Sequence, residues 1–92
     1  MRVVVCYDVV EDRKRNRLAK ALKKFLTRVQ KSVFEGEIED RKYEEMKKAI
    51  VKEIDREVDS VRIYNLCVRC YTAVEIIGTA VFLDDKEEDV VV

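Results

Sequence analysis

The chain has 92 residues, 19 of them Lys or Arg and 19 Asp or Glu, with no His, Pro or Trp. Without His, a Ser-His-Asp or Cys-His set and a His-ligated metal are excluded, which leaves carboxylates, thiols, Tyr, Lys and backbone for any chemistry. The length is that of one domain, 48% hydrophobic residues exclude a disordered chain, and no apolar run approaches the roughly 18 residues of a membrane span.

Residues 2–7, RVVVCY, are a continuous β-branched apolar run and predict a buried strand. This start is strand-like rather than a signal peptide, so a cytoplasmic chain with free thiols at its three Cys is expected. Asp12 is the expected N-cap of a helix running to about Leu26, with Leu18, Ala19, Leu22, Phe25 and Leu26 at helical spacing. Arg13, Arg17, Lys20 and Lys24 fall on its opposite side. Residues 28–34 alternate and predict a strand. Glu35-Gly36 is the best turn or bulge signal, with a short strand expected at about 37–39. Residues 40–56 predict a second amphipathic helix with Tyr43, Met46, Ile50 and Ile54 in its stripe. Residues 60–66 alternate again, and residues 73–77 and 79–83 are apolar and β-prone around Gly78. Residues 1–83 are expected to form the domain and residues 84–92 an acidic tail.

This order predicts an α+β protein with the ferredoxin-like βαββαβ arrangement and one or two extra C-terminal strands. A four-stranded sheet cannot absorb all of them. They are expected to pair with an exposed edge, in the same chain or in a second copy, which predicts a homodimer with strand exchange.

The zero net charge is unevenly distributed. Residues 1–32 hold ten bases and three acids, a net of +7, while residues 33–60 carry −4 and residues 61–92 carry −3. The first helix has almost no acids to pair with its bases. Its charge reads either as a solvated face or as a surface for nucleic acid.

Asp8 closes the first strand. A carboxylate there can serve Mg²⁺, a hard cation that favours oxygen ligands, or simply order the loop before the helix. One carboxylate per chain is a poor metal site, whereas two related by a dimer axis could share one ion. Tyr7, Arg13, Arg15, Arg17, Arg28, Lys31 and Ser32 are candidates for phosphate contacts. Phe34 and Tyr64 could stack on bases or belong to a core or interface. Cys67 and Cys70 form one CVRC motif, which leaves incidental thiols, a metal shared across a dimer, and redox chemistry open.

VVVCYDVVEDRKRNRLAKAL, TRVQKSVFEGEI and DSVRIYNLCVRC, in that order, resemble the small CRISPR-associated adaptation protein. This is the second of the universal CRISPR-associated families, also described as CRISPR-associated endoribonucleases. The similarity covers about residues 1–80. It implies a ferredoxin-like homodimer that exchanges C-terminal strands and bridges dimers of an integrase partner during spacer acquisition. It also implies protospacer DNA as a ligand. Members are described either as Mg²⁺-dependent nucleases on single-stranded RNA or double-stranded DNA, or as scaffolds. By the same resemblance Asp8 is the metal-site and catalytic aspartate, with Tyr7 beside it. Arg15, Arg17, Arg28 and Phe34 match further family positions. A non-catalytic adaptor and a toxin-type ribonuclease of the same fold stand as the other readings.

Overall fold

Strand β1 (Arg2–Asp8) is one of the two inner strands of a four-stranded sheet. In the computed structural model, which describes residues 1–79, it is followed by α1 (Asp12–Leu22), β2 (Thr27–Gln30) and β3 (Val33–Glu37). Helix α2 (Asp40–Glu53), β4 (Ser60–Leu66) and a short α3 (Val68–Thr72) complete the order. The strands form one antiparallel sheet in the order β2-β3-β1-β4. This is the expected ferredoxin-like βαββαβ arrangement.

Side chains alternate across β1, so its odd and even positions meet different surroundings. Val3, Val5 and Tyr7 are buried together with Phe34 of β3, Leu18 and Leu22 of α1, and Met46 and Ile50 of α2. Val61 and Ile63 of β4 pack against the same cluster. Both helices therefore cover one face of the sheet. The even positions Arg2, Val4, Cys6 and Asp8 lie on the other face. There they are in register with Leu66, Tyr64, Arg62 and Ser60 of β4.

Several boundaries differ from the sequence expectation. The turn between β2 and β3 falls at Lys31-Ser32, not at Glu35-Gly36. Gly36 lies inside β3 opposite Val3, and a Cβ there would stand 3.3 Å from a Leu26 methyl. This glycine serves the close approach of Leu26 rather than a bend. Helix α1 ends at Leu22 because the chain tightens there. The Leu22 carbonyl accepts from both Phe25 and Leu26 N–H, each at 2.9 Å. Phe25 and Leu26 still reach the core, but from a turn. The residue preceding α1 is Glu11 and its side chain makes no cap bond, so Asp12 is not the N-cap. Asp12 sits in the first turn instead, paired with Arg15.

Helix α2 stops at Glu53 rather than 56, since Asp55 folds into a loop of its own. Its carboxylate accepts from Glu57 N–H at 3.0 Å, and its carbonyl accepts from Asp59 N–H at 2.8 Å. Residues 68–72 form α3, which the alternation of residues 60–66 did not foreshadow. Residues 73–79 form no strand and pair with none of the four strands. The strand expected at 79–83 and the tail at 84–92 lie outside the described residues, apart from Thr79 itself.

Met46 is fully buried in this single cluster, whereas Val51 on the same helix is 46% exposed. Met46→Ala is expected to lower the free energy of unfolding by about 2–5 kcal/mol. Val51→Ala should stay within about 0.5 kcal/mol of wild type. Urea titrations followed by circular dichroism measure both, and equal effects would contradict this placement of the core.

Candidate functional site

Asp8 ends β1 on the face away from the helices. It is exposed, and its carboxylate makes no hydrogen bond or ion pair among the described residues. A shallow groove there is lined by Cys6, Tyr7, Asp8, Ser60 and Arg62. Ser60 is in register with Asp8, and Arg62 with Cys6. The Arg62 guanidinium donates to the Tyr64 hydroxyl at 3.4 Å. The groove thus brings together the Asp8 carboxylate, the Arg62 guanidinium, the Ser60 hydroxyl and the Cys6 thiol. Among the described residues no three His, Cys, Asp or Glu side chains gather as metal ligands. A single chain therefore offers one carboxylate in this groove, Asp8, which by itself is too few oxygen ligands for a divalent cation.

The loop after Asp8 is held from two sides. The Val10 N–H donates to Asp59 Oδ1 at 3.0 Å, across 49 residues. The other oxygen of Asp59 accepts from the Asp55 N–H at 2.8 Å. Arg15 donates to the Val9 carbonyl at 2.9 Å while it pairs with Asp12. Asp59 is only 8% exposed. The Asp55 and Val10 amides hold its carboxyl below the ordinary carboxylate range, against burial, with Lys14 adding a smaller favourable charge. The sequence reading missed Asp59. The acid-rich loop DREVDS hinted at side-chain-to-backbone bonds, but the partner at Val10 is not a local signal.

The other expected site residues divide sharply. Tyr7 is 6% exposed and its ring stacks on Phe34, with centroids 6.2 Å apart. Its hydroxyl points to the Lys31 carbonyl at 3.4 Å, and its N–H donates to the Ser32 carbonyl at 3.1 Å. Tyr7 is thus a core residue and not an exposed acid or base, because position 7 shares the inward side with Val3 and Val5. Phe34 is fully buried and has no ring face for a base, which corrects the stacking expectation. Arg28 lies over that ring at 5.6 Å and donates twice to the Lys31 carbonyl, at 2.8 and 3.1 Å. It clamps the β2–β3 turn. Ser32 is half-buried in that turn, and Lys31 is exposed.

On α1 the arginines differ again. Arg15 is engaged in the loop, as above. Arg17 pairs with Glu53 of α2 at 3.2 Å yet remains 56% exposed. Arg13 is exposed and makes no ion pair or hydrogen bond among the described residues. Lys20 is exposed on the same helix, and Lys23 and Lys24 are exposed in the turn that follows it. Helix α2 contrasts with this, because Lys42–Glu45 and Lys47–Glu44 pair within it. The surplus of positive charge therefore stands on α1.

The profile of the CRISPR associated protein Cas2 family matches residues 1–74. The chain belongs to the Cas2 family. It is 48% identical over 64 residues to the CRISPR-associated endoribonuclease Cas2 3 of Thermodesulfovibrio yellowstonii, covering 70% of this chain and 72% of that one. The crystal structure of Streptococcus pyogenes Cas2 superposes with a TM-score of 0.76 at 31% identity, over 85% of this chain and all of that one. A chain of a partial Cas6-RT-Cas1–Cas2 complex gives a TM-score of 0.65 at 31% identity, over 83% and 89%. Among the described residues of this Cas2-family chain, no helix is long and apolar enough to cross a membrane.

Asp59 generates a pH prediction. Its carboxyl is held low in the folded state, so its stabilisation is complete above the unfolded value and is lost as pH falls through the folded one. Asn at this position offers one acceptor oxygen for two amides. Asp59→Asn should therefore be less stable than wild type at pH 7, and the gap should shrink below about pH 4. Urea unfolding from pH 7 to pH 2 checks this. A gap that stays constant would show that the carboxylate charge contributes nothing.

Proposed function

We propose that this Cas2-family protein is a homodimeric adaptor of CRISPR spacer acquisition that clamps protospacer DNA for an integrase partner. The observation that carries the reading is the exposed basic stripe on α1, which has one acid, Asp12, among its own bases. Arg13, Arg17 and Lys20 rise about 10 Å along the helix, or about three base-pair steps of a duplex. Such contacts go to the backbone and are indifferent to sequence. The similarity to a chain of a Cas1–Cas2 complex supports a Cas1-type integrase as the partner. Support for the homodimer comes from the chain beyond α3, where Val74 and Ile77 are 53% and 94% exposed. Apolar side chains in this position suit pairing with a second copy.

A second reading is nucleolytic. It is supported by the endoribonuclease names of the relatives and by the exposed, unengaged Asp8. In that reading Asp8 of each copy is one ligand to a shared Mg²⁺, with water completing the shell. The ion, when bound, supplies water activation and neutralises phosphate charge. The α1 bases hold the backbone of the RNA or DNA in place.

Two experiments test this. Filter binding of duplex DNA across a salt series should give a slope about 2 units shallower for the double variant Arg13→Ala, Lys20→Ala. An unchanged slope would remove α1 from the interface. Asp8→Ala should lose Mg²⁺-dependent cleavage of RNA and DNA while spacer integration with the partner continues. If integration stops with it while DNA binding and folding persist, the adaptor reading is wrong and the carboxylate is part of the biological reaction.

A further inference from the structure

Neither the clamp nor the Asp8 groove uses the thiols that follow β4. Cys67 precedes α3 and Cys70 lies within it, and both are exposed. Their sulfur atoms are 3.4 Å apart, within hydrogen-bond distance. α3 itself sets this spacing. The Cys67 carbonyl accepts from the N–H groups of Cys70 and Tyr71 at 3.0 and 3.1 Å, which folds the four residues into one turn. Thr72 closes the turn by donating its hydroxyl to the Val68 carbonyl at 2.8 Å. From this separation a bond of about 2.05 Å needs side-chain rotation but no refolding of the strand.

We propose that Cys67 and Cys70 form a reversible dithiol–disulfide site that takes a low-molecular-weight disulfide of the glutathione class as its oxidant. The two thiols have unequal roles. The Cys70 backbone amide and thiol beside the Cys67 sulfur hold its acidity above that of an ordinary thiol. The Cys70 thiol, bonded to Cys67 and facing its charge, is pushed the other way. Cys67 is thus the attacking thiolate and Cys70 the resolving thiol.

In the first step the Cys67 thiolate attacks one sulfur of the oxidant. A mixed disulfide forms and one thiolate of the oxidant leaves. In the second step Cys70 gives its proton to solvent or to that thiolate, then attacks the Cys67 sulfur and expels the second half of the oxidant. Two protein thiols are oxidised to one disulfide, and one small disulfide is reduced to two thiols. The change takes place in the segment that holds Tyr71 over Arg2, whose guanidinium lies 4.9 Å from the ring centroid.

The test uses the whole chain, reduced, desalted and exposed to oxidised glutathione, then alkylated under denaturing conditions and weighed intact. Wild type is expected to lose two hydrogens and to take up reagent at Cys6 alone. Cys70→Ser should stop as a glutathione adduct at Cys67, formed at the wild-type initial rate. Cys67→Ser should react about tenfold more slowly near pH 7. Three alkylatable thiols in treated wild type would overturn the proposal. So would a disulfide between two chains, equal rates for the two variants, or a stoichiometric thiophilic metal that must be removed before the thiols react.

Discussion

The two-residue alternation of β1 is the constraint on which the rest of the molecule depends. Val3, Val5 and Tyr7 are buried under α1 and α2 on an inner strand of the sheet. That burial sets the register with β3 and β4, because a shift of one residue would turn every inward side chain outward. It also decides where function can reside. Asp8 faces away from the helices since it is one residue beyond Tyr7, and Tyr7 is withdrawn from chemistry for the same reason.

The even side of β1 shows how polar groups are accommodated once that register is set. Arg2 is 6% exposed and lies 3.6 Å from Glu35, 3.9 Å from Glu37 and over the Tyr71 ring. A buried guanidinium needs such company, because desolvation of a lone charge costs several kcal/mol. At the opposite end of the strand the carboxylate of Asp8 is left exposed. The loop beyond it is nevertheless fixed, by Asp59 from the β4 side and by Arg15 from α1. An exposed carboxylate on a held backbone suits the metal contact proposed for it, since little ordering remains to be done on binding.

The basic first third of the chain does two jobs that charge counting cannot separate. Arg15 and Arg28 hold loops through backbone carbonyls, and Arg17 bridges the two helices. Arg13, Lys20, Lys23, Lys24 and Lys31 are the exposed remainder. The distinction matters for reading any substitution. Removing Arg15 or Arg28 loosens structure as well as charge, whereas removing Arg13 or Lys20 alters the field outside the molecule. The paired thiols after β4 add a separate chemistry at the other end of the same sheet.

Much of this was legible in the residues alone. The apolar run 2–7, the helical spacing of Leu18, Leu22, Met46 and Ile50, and the alternation at 60–66 determined the element types, their order and the βαββαβ class. The sequence also placed Asp8 at a strand end and concentrated positive charge before residue 33. These features are local, and propensity with hydrophobic period suffices to read them. Only the tertiary structure decided that the hairpin turns at Lys31-Ser32, that Tyr7 and Phe34 are core, and which arginines are already occupied. It alone paired Asp59 with Val10 and brought the sulfur atoms of Cys67 and Cys70 to 3.4 Å. The reason is that a polar side chain's role depends on its partner, and no local period in the chain encodes a partner 49 residues away, such as Val10 for Asp59.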